Sequence, residues 1–149
     1  MPPFDLKSVL LAKHAQHVVL VHFPIALFLT GVLCDVWAHW GKKRALKTVA
    51  EFNLHAAAFM VIPVLATGLL AWQWRLEGQR LKGVLLMHLT LGFSSAALCW
   101  LVVALRKRHW SAENSSLPAL HGLLELAAVV VVAVTGHLGG FLSGVNLPG

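Results

Sequence analysis

Charge is what this chain has least of. Only 12% of its 149 residues are charged and only six are acidic, whereas a soluble globular domain carries about a quarter. With 58% apolar residues and a mean hydropathy of +0.74, that deficit excludes an ordinary soluble domain and points to an integral membrane protein. Cysteine is scarce too. Cys34 and Cys99 lie inside apolar runs without CxxC spacing, which removes c-type heme attachment and iron–sulfur ligation and leaves them as small packing residues. No small-residue cleavage site closes the first apolar run, so the first span is expected to serve as its own insertion signal. Phosphate-binding loops, Walker motifs and hydrolytic constellations are missing as well. The formal net charge of +6 does not indicate nucleic acid, because the basic residues cluster at the ends of apolar runs, where topology signals sit.

What the chain does have is four apolar runs, each close to the ~20 residues that cross a hydrocarbon layer. They cover about 17–37, 52–72, 83–105 and 117–138. Short loops make neighbouring spans antiparallel, so the expected fold is all-α: an integral membrane up-down four-helix bundle, a single transmembrane domain over 1–149. Trp37, His39 and Trp40 close the first run, Trp72 and Trp74 the second, and Arg106, Lys107 and Arg108 the third. Lys42, Lys43, Arg44 and Lys47 load the first loop. The surplus of basic residues in loops one and three puts those loops in the cytoplasm and both termini on the outer face of a bacterial inner membrane.

Nine histidines lie in or beside these runs. Imidazoles are costly in lipid, so a functional role is the default expectation. His22 and His88, each about five residues from a span start, share one depth. His55 and His121 share another, roughly 20 Å away at the helical rise. Matched pairs suit the two axial positions of a porphyrin iron, making His22, His88, His55 and His121 the candidate ligands of one or two b-type hemes. The alternatives are rings that hydrogen-bond across the bundle or, for His55 and His121, that line a quinone pocket. Small residues share the faces of His88 (Gly92, Ser95, Cys99) and His121 (Ala128, Gly139), leaving room for a macrocycle or simply allowing close helix packing. His137 lies about 160° round the helix from His121, and His17 about 140° from His22. Both are therefore expected to support a bound group rather than ligate iron.

Two acids stand inside the runs. Glu125, one turn from His121, is expected to orient a ligating imidazole, carry protons at a quinone pocket, or make a structural hydrogen bond. Asp35 is expected to reach the headgroups or pair with Lys42 or Arg106.

The segment His17-Val-Val-Leu-Val-His22-Phe-Pro-Ile-Ala-Leu resembles the opening signature of the DUF2231 family of small four-helix bacterial membrane proteins. The match is close from Val21 to Leu27, while Val18 replaces the usual Pro. Gly139-Gly140-Phe-Leu resembles that family's late Gly-Gly-x-Leu element. The resemblance implies a membrane protein with a place in heme or redox chemistry. The bundle plan is also similar to small diheme cytochromes b, by fold analogy.

The function expected on these grounds is a membrane b-type cytochrome, the anchor or electron-transfer subunit of a redox complex, passing electrons between the quinone pool and a partner. Such a protein is expected to be an electron-transfer subunit in preference to a stand-alone enzyme. The competing expectations are a heme-free structural or assembly subunit, and a metal or proton transporter using a histidine relay.

Overall fold

A computed structural model describes residues 13–75, 78, 80–110 and 119–144. They form five helices and no strand: α1 (Lys13–Leu20), α2 (His22–Gly41), α3 (Arg44–Arg75), α4 (Gly83–Trp110) and α5 (Ala119–Leu142). The polar stretch from 111 to 118 lies outside the described residues.

Four segments are long and apolar enough to cross a membrane: Ala15–Gly41, Arg44–Trp74, Gly83–Arg106 and Leu120–Leu142. The first joins α1 and α2 across a one-residue irregularity at Val21. Pro24 accounts for it, since proline offers no N–H to Leu20 O and its ring crowds that carbonyl. The chain stays helical enough there for Val21 N to donate to His17 O at 3.0 Å and Ile25 N to Val21 O at 3.4 Å. Helix α2 ends at Lys42, whose left-handed backbone (φ 50°) turns the chain straight into α3. That helix starts at Arg44, eight residues before the apolar run expected from 52, so Lys47 sits on a helix rather than in a loop. Helix α5 likewise continues through Gly136, Gly139 and Gly140. Helices end where capping or turn chemistry stops them, and hydrophobicity alone does not mark that point.

The interior is built from small residues. Ala57, Ala58, Ala96, Cys99, Val102, Val103, Ala128 and Val132 are buried around Phe28 and Leu54. Large apolar side chains face outward instead, among them Phe23, Leu33, Phe52, Phe59, Leu123 and Leu126. In water this arrangement would forfeit the hydrophobic effect, but lipid tails solvate Leu and Phe as well as a core does. Small residues inside then let backbones approach.

The two closest pairings are α2 with α3 and α4 with α5, and α3 also packs on α1 and α4. Gly31 permits the first: a Cβ there would lie 2.9 Å from Leu54 Cγ and 3.3 Å from Asn53 Cβ. Beside it, Asn53 Nδ2 donates to Thr30 Oγ1 at 3.1 Å, tying the first span to the second.

Candidate functional site

Polar side chains inside the bundle gather in two layers, one at each end. Spans one and three set the separation. His17 to Asp35 and His88 to Arg106 are both eighteen residues apart, about 27 Å along a helix. The apolar core lies between.

The first layer combines Asp35 of α2, Arg106 of α4, and His121 and Glu125 of α5. All four are buried, at 2%, 3%, 2% and 1% exposure. Arg106 Nη1 forms an ion pair with Asp35 Oδ2, and its Nη2 donates to Lys47 O at 3.4 Å. His121 Nε2 is 3.3 Å from Glu125 Oε1 and 3.9 Å from Asp35 Oδ2. The i, i+4 spacing on α5 places His121 over Glu125. The His121 Nδ1 has no hydrogen-bond partner among the described residues.

One ligand atom from each of Asp35, His121 and Glu125 can be chosen so that all lie within 4.8 Å of one another, a grouping able to hold a metal ion. Against a divalent cation stands Arg106, a permanent positive charge already engaged with Asp35. Beside the cluster, an apolar groove of about 500 Å³ runs between α2 and α5. Leu29, Val32, Val36, Trp40 and Leu126 line it, and Glu125 contributes the acid on its wall.

The second layer joins α1 and α3 to α4 and α5 through imidazoles. His17 Nδ1 lies 3.1 Å from Val64 O and 3.3 Å from Thr67 Oγ1. His88 Nδ1 lies 3.1 Å from Thr135 O, and the Thr135 hydroxyl pairs with Ser95 Oγ at 3.1 Å. The rings of His17 and His88 meet edge to face with centres 6.4 Å apart.

The residues singled out from the sequence are therefore distributed as follows. His88 faces His17, which was expected to play only a supporting part. His22 is exposed, and its Nδ1 is 2.7 Å from Val18 O on its own side of the bundle. His55 Nδ1 is 2.8 Å from Glu51 O, one turn back on its own helix. His121 meets the two acids. His137 is exposed and stacks edge to face on Phe141 at 5.0 Å. Asp35 makes the ion pair with Arg106 that was weighed against Lys42 and the headgroups. Arg106 is the residue the sequence reading undervalued: it belongs to a basic boundary cluster by position, yet it is buried. The signal available was an in-span acid, Asp35, in need of a counter-charge.

A small-residue interior, a lipid-suited exterior and a buried His/Asp/Glu centre define a multi-pass helical membrane protein with a site of the metal-binding or relay class. The family model described as "Predicted membrane protein (DUF2231)" matches residues 13–145. The chain belongs to that family, as the segment from Val21 to Leu27 indicated. No curated protein and no solved structure matches it, so the analogy of plan with small diheme cytochromes b gains no support.

Proposed function

We propose that the Asp35–Arg106–His121–Glu125 cluster is the proton-loading site of a transmembrane relay. The observation that carries this reading is the charge inventory of one buried site. Among the described residues, two carboxylates and one guanidinium leave a unit of negative charge, and an uncompensated charge in a low-dielectric interior is expensive. One proton on the His121–Glu125 pair balances the site, either as imidazolium beside carboxylate or as imidazole beside carboxylic acid. These two arrangements differ only by a shift across the 3.3 Å contact, so the pair can accept a proton on one side and release it on the other. A divalent cation in the same place would meet the Arg106 guanidinium and overshoot neutrality.

The apolar core separates the cluster from the imidazole layer. Transfer therefore needs either a helix rearrangement or a mobile lipid-soluble carrier. The groove beside Glu125 favours the carrier, which supports a second reading: a membrane redox subunit in which Glu125 exchanges its proton with a quinone. A b-type cytochrome, expected with heme at His22/His88 or His55/His121, is the finer form of that reading, as is its place in a larger complex. Its support is the groove and the presence of His88 and His121 in the two polar layers, whereas His22 and His55 turn to carbonyls of their own spans.

Proteoliposomes carrying the protein and an internal pH dye test the relay directly. An imposed proton gradient should drive dye-reported uptake, and Glu125→Gln should slow it about tenfold or more. Equal rates for the two proteins would contradict the relay.

A further inference from the structure

Where α2 faces α5 the bundle stays open. These two helices approach each other at few points, in contrast to the close α2–α3 and α4–α5 pairings. Gly122 contributes no side chain to the gap, and a Cβ there would meet nothing within 4 Å. The result is the groove of about 500 Å³, whose wall is Leu29, Val32, Val36, Leu126 and Val129 with Glu125 set into it. That volume falls in the range of roughly 300–1,000 Å³ usual for ligand sites. Left empty, such a groove forfeits dispersion contacts along its wall, and water finds few polar partners on it.

The groove has the length of one lipid tail. From Leu29 to Trp40 it follows α2 for eleven residues, about 16 Å at the helical rise. The hydrocarbon layer is ~30 Å thick, so the groove crosses about one leaflet. His39 and Trp40 mark its shallow end. Trp40 is 78% exposed, in keeping with a side chain at the level of the headgroups.

Three cations follow directly. Lys42, Lys43 and Arg44 are all exposed, and among the described residues none of them is paired with an acid. The left-handed backbone at Lys42 reverses the chain so tightly that all three stay at the end of α2. The stem of Lys43 is folded back on the last turn of that helix: a Cβ on Gly41 would lie 3.5 Å from its Cγ and 3.8 Å from its Cε. A neutral amphiphile has no use for such a cluster, whereas a phosphate is matched both by ammonium charges and by the guanidinium fork.

We propose that the α2–α5 groove and the Lys42–Lys43–Arg44 turn together bind one anionic phospholipid from the leaflet on the side of the first loop. Its acyl chain lies in the groove and its phosphate among the three cations. The chain covers the wall that holds Glu125, so a lipid-soluble carrier reaches that acid only by displacing it. The charge count of the buried cluster does not depend on this site.

Native mass spectrometry tests the assignment on the full-length protein in detergent, incubated with phosphatidylglycerol or with phosphatidylcholine of the same chains. Phosphatidylglycerol should be retained at one per chain and bind about tenfold or more tighter than phosphatidylcholine. The variant Lys42→Asn/Lys43→Gln/Arg44→Gln, in which Asn suits the left-handed position, should bring the two lipids to the same affinity. Gly122→Leu should fill the groove and abolish retention of both. Its side chain enters open space, so its melting temperature should match that of the parent protein, which separates loss of the site from loss of the fold. Should Gly122→Leu melt early, the triple variant decides alone. Equal affinities in the parent protein would overturn the proposal. So would an unchanged preference in the triple variant, or undiminished binding by a folded Gly122→Leu. A protein dimer carrying no lipid would give the groove to a second copy, and an added ubiquinone analogue that excludes phosphatidylglycerol and ignores the three cations would give it to the carrier; either result overturns the lipid site.

Discussion

Arg106 shows most plainly what a single residue does here. Its guanidinium holds Asp35 as an ion pair with both partners buried. Such a pair adds little over an apolar replacement, but losing one member strands the other charge at about 3–5 kcal/mol. Arg106→Leu should therefore lower the unfolding free energy of the detergent-solubilised protein by that amount. The double variant Arg106→Leu/Asp35→Asn should recover most of it, because neither charge remains to be stranded. A double variant no more stable than Arg106→Leu would mean that Asp35 and Arg106 are not energetically coupled. At this scale the sequence was informative about identity and silent about partnership. Asp35, His121 and Glu125 each drew notice as polar groups in apolar runs, and Asp35 with Arg106 was among the pairings considered. That His121 joins them follows from a rotation about α5 that no single residue reveals.

Elements explain that gap. The spans are apolar on every side, so the usual signal of a buried stripe against a polar face is missing, and rotation about each helix axis is set by small residues instead. Depth arithmetic matched His22 with His88 and His55 with His121, but depth fixes only one coordinate. His55 turns along its own helix to Glu51. The span is interrupted at Val21, and it is His17, on the far side of that irregularity, rather than His22 that comes beside His88. The same packing logic makes Gly31 critical. Gly31→Val would drive a side chain into Leu54, which is fully buried, and should separate α2 from α3. Overpacking of this kind costs about 1–3 kcal/mol, to be read as a lower melting temperature in detergent. An unchanged melting temperature would show that the two helices do not approach as closely as described.

For the whole molecule, the sequence carried the architecture well. Runs of about twenty apolar residues are a coarse signal that backbone hydrogen bonding in lipid enforces. The exact helix ends were less legible, since α3 and α5 extend beyond their most apolar windows. Four crossings would put both ends of the chain on one side of the membrane, and the basic residues near Lys43 predict the opposite, cytoplasmic side for the first loop. Single cysteines at Ser8, Lys43 and Leu147, in a background lacking Cys34 and Cys99, allow a check with an impermeant maleimide on intact cells. Ser8→Cys and Leu147→Cys should label together and Lys43→Cys should not. Labelling of the two ends from opposite sides would contradict an even number of crossings.

The claim at the centre of the account is that the His121–Glu125 pair holds one proton which neutralises the buried cluster. Infrared difference spectroscopy across a pH titration, in ordinary and heavy water, measures that proton by the carboxyl and imidazole bands it moves. At neutral pH the account predicts one bound proton, seen either as a protonated carboxyl that Glu125→Gln abolishes or as an imidazolium that His121→Asn abolishes. A spectrum showing Asp35 and Glu125 both as carboxylates beside a neutral His121 would contradict it.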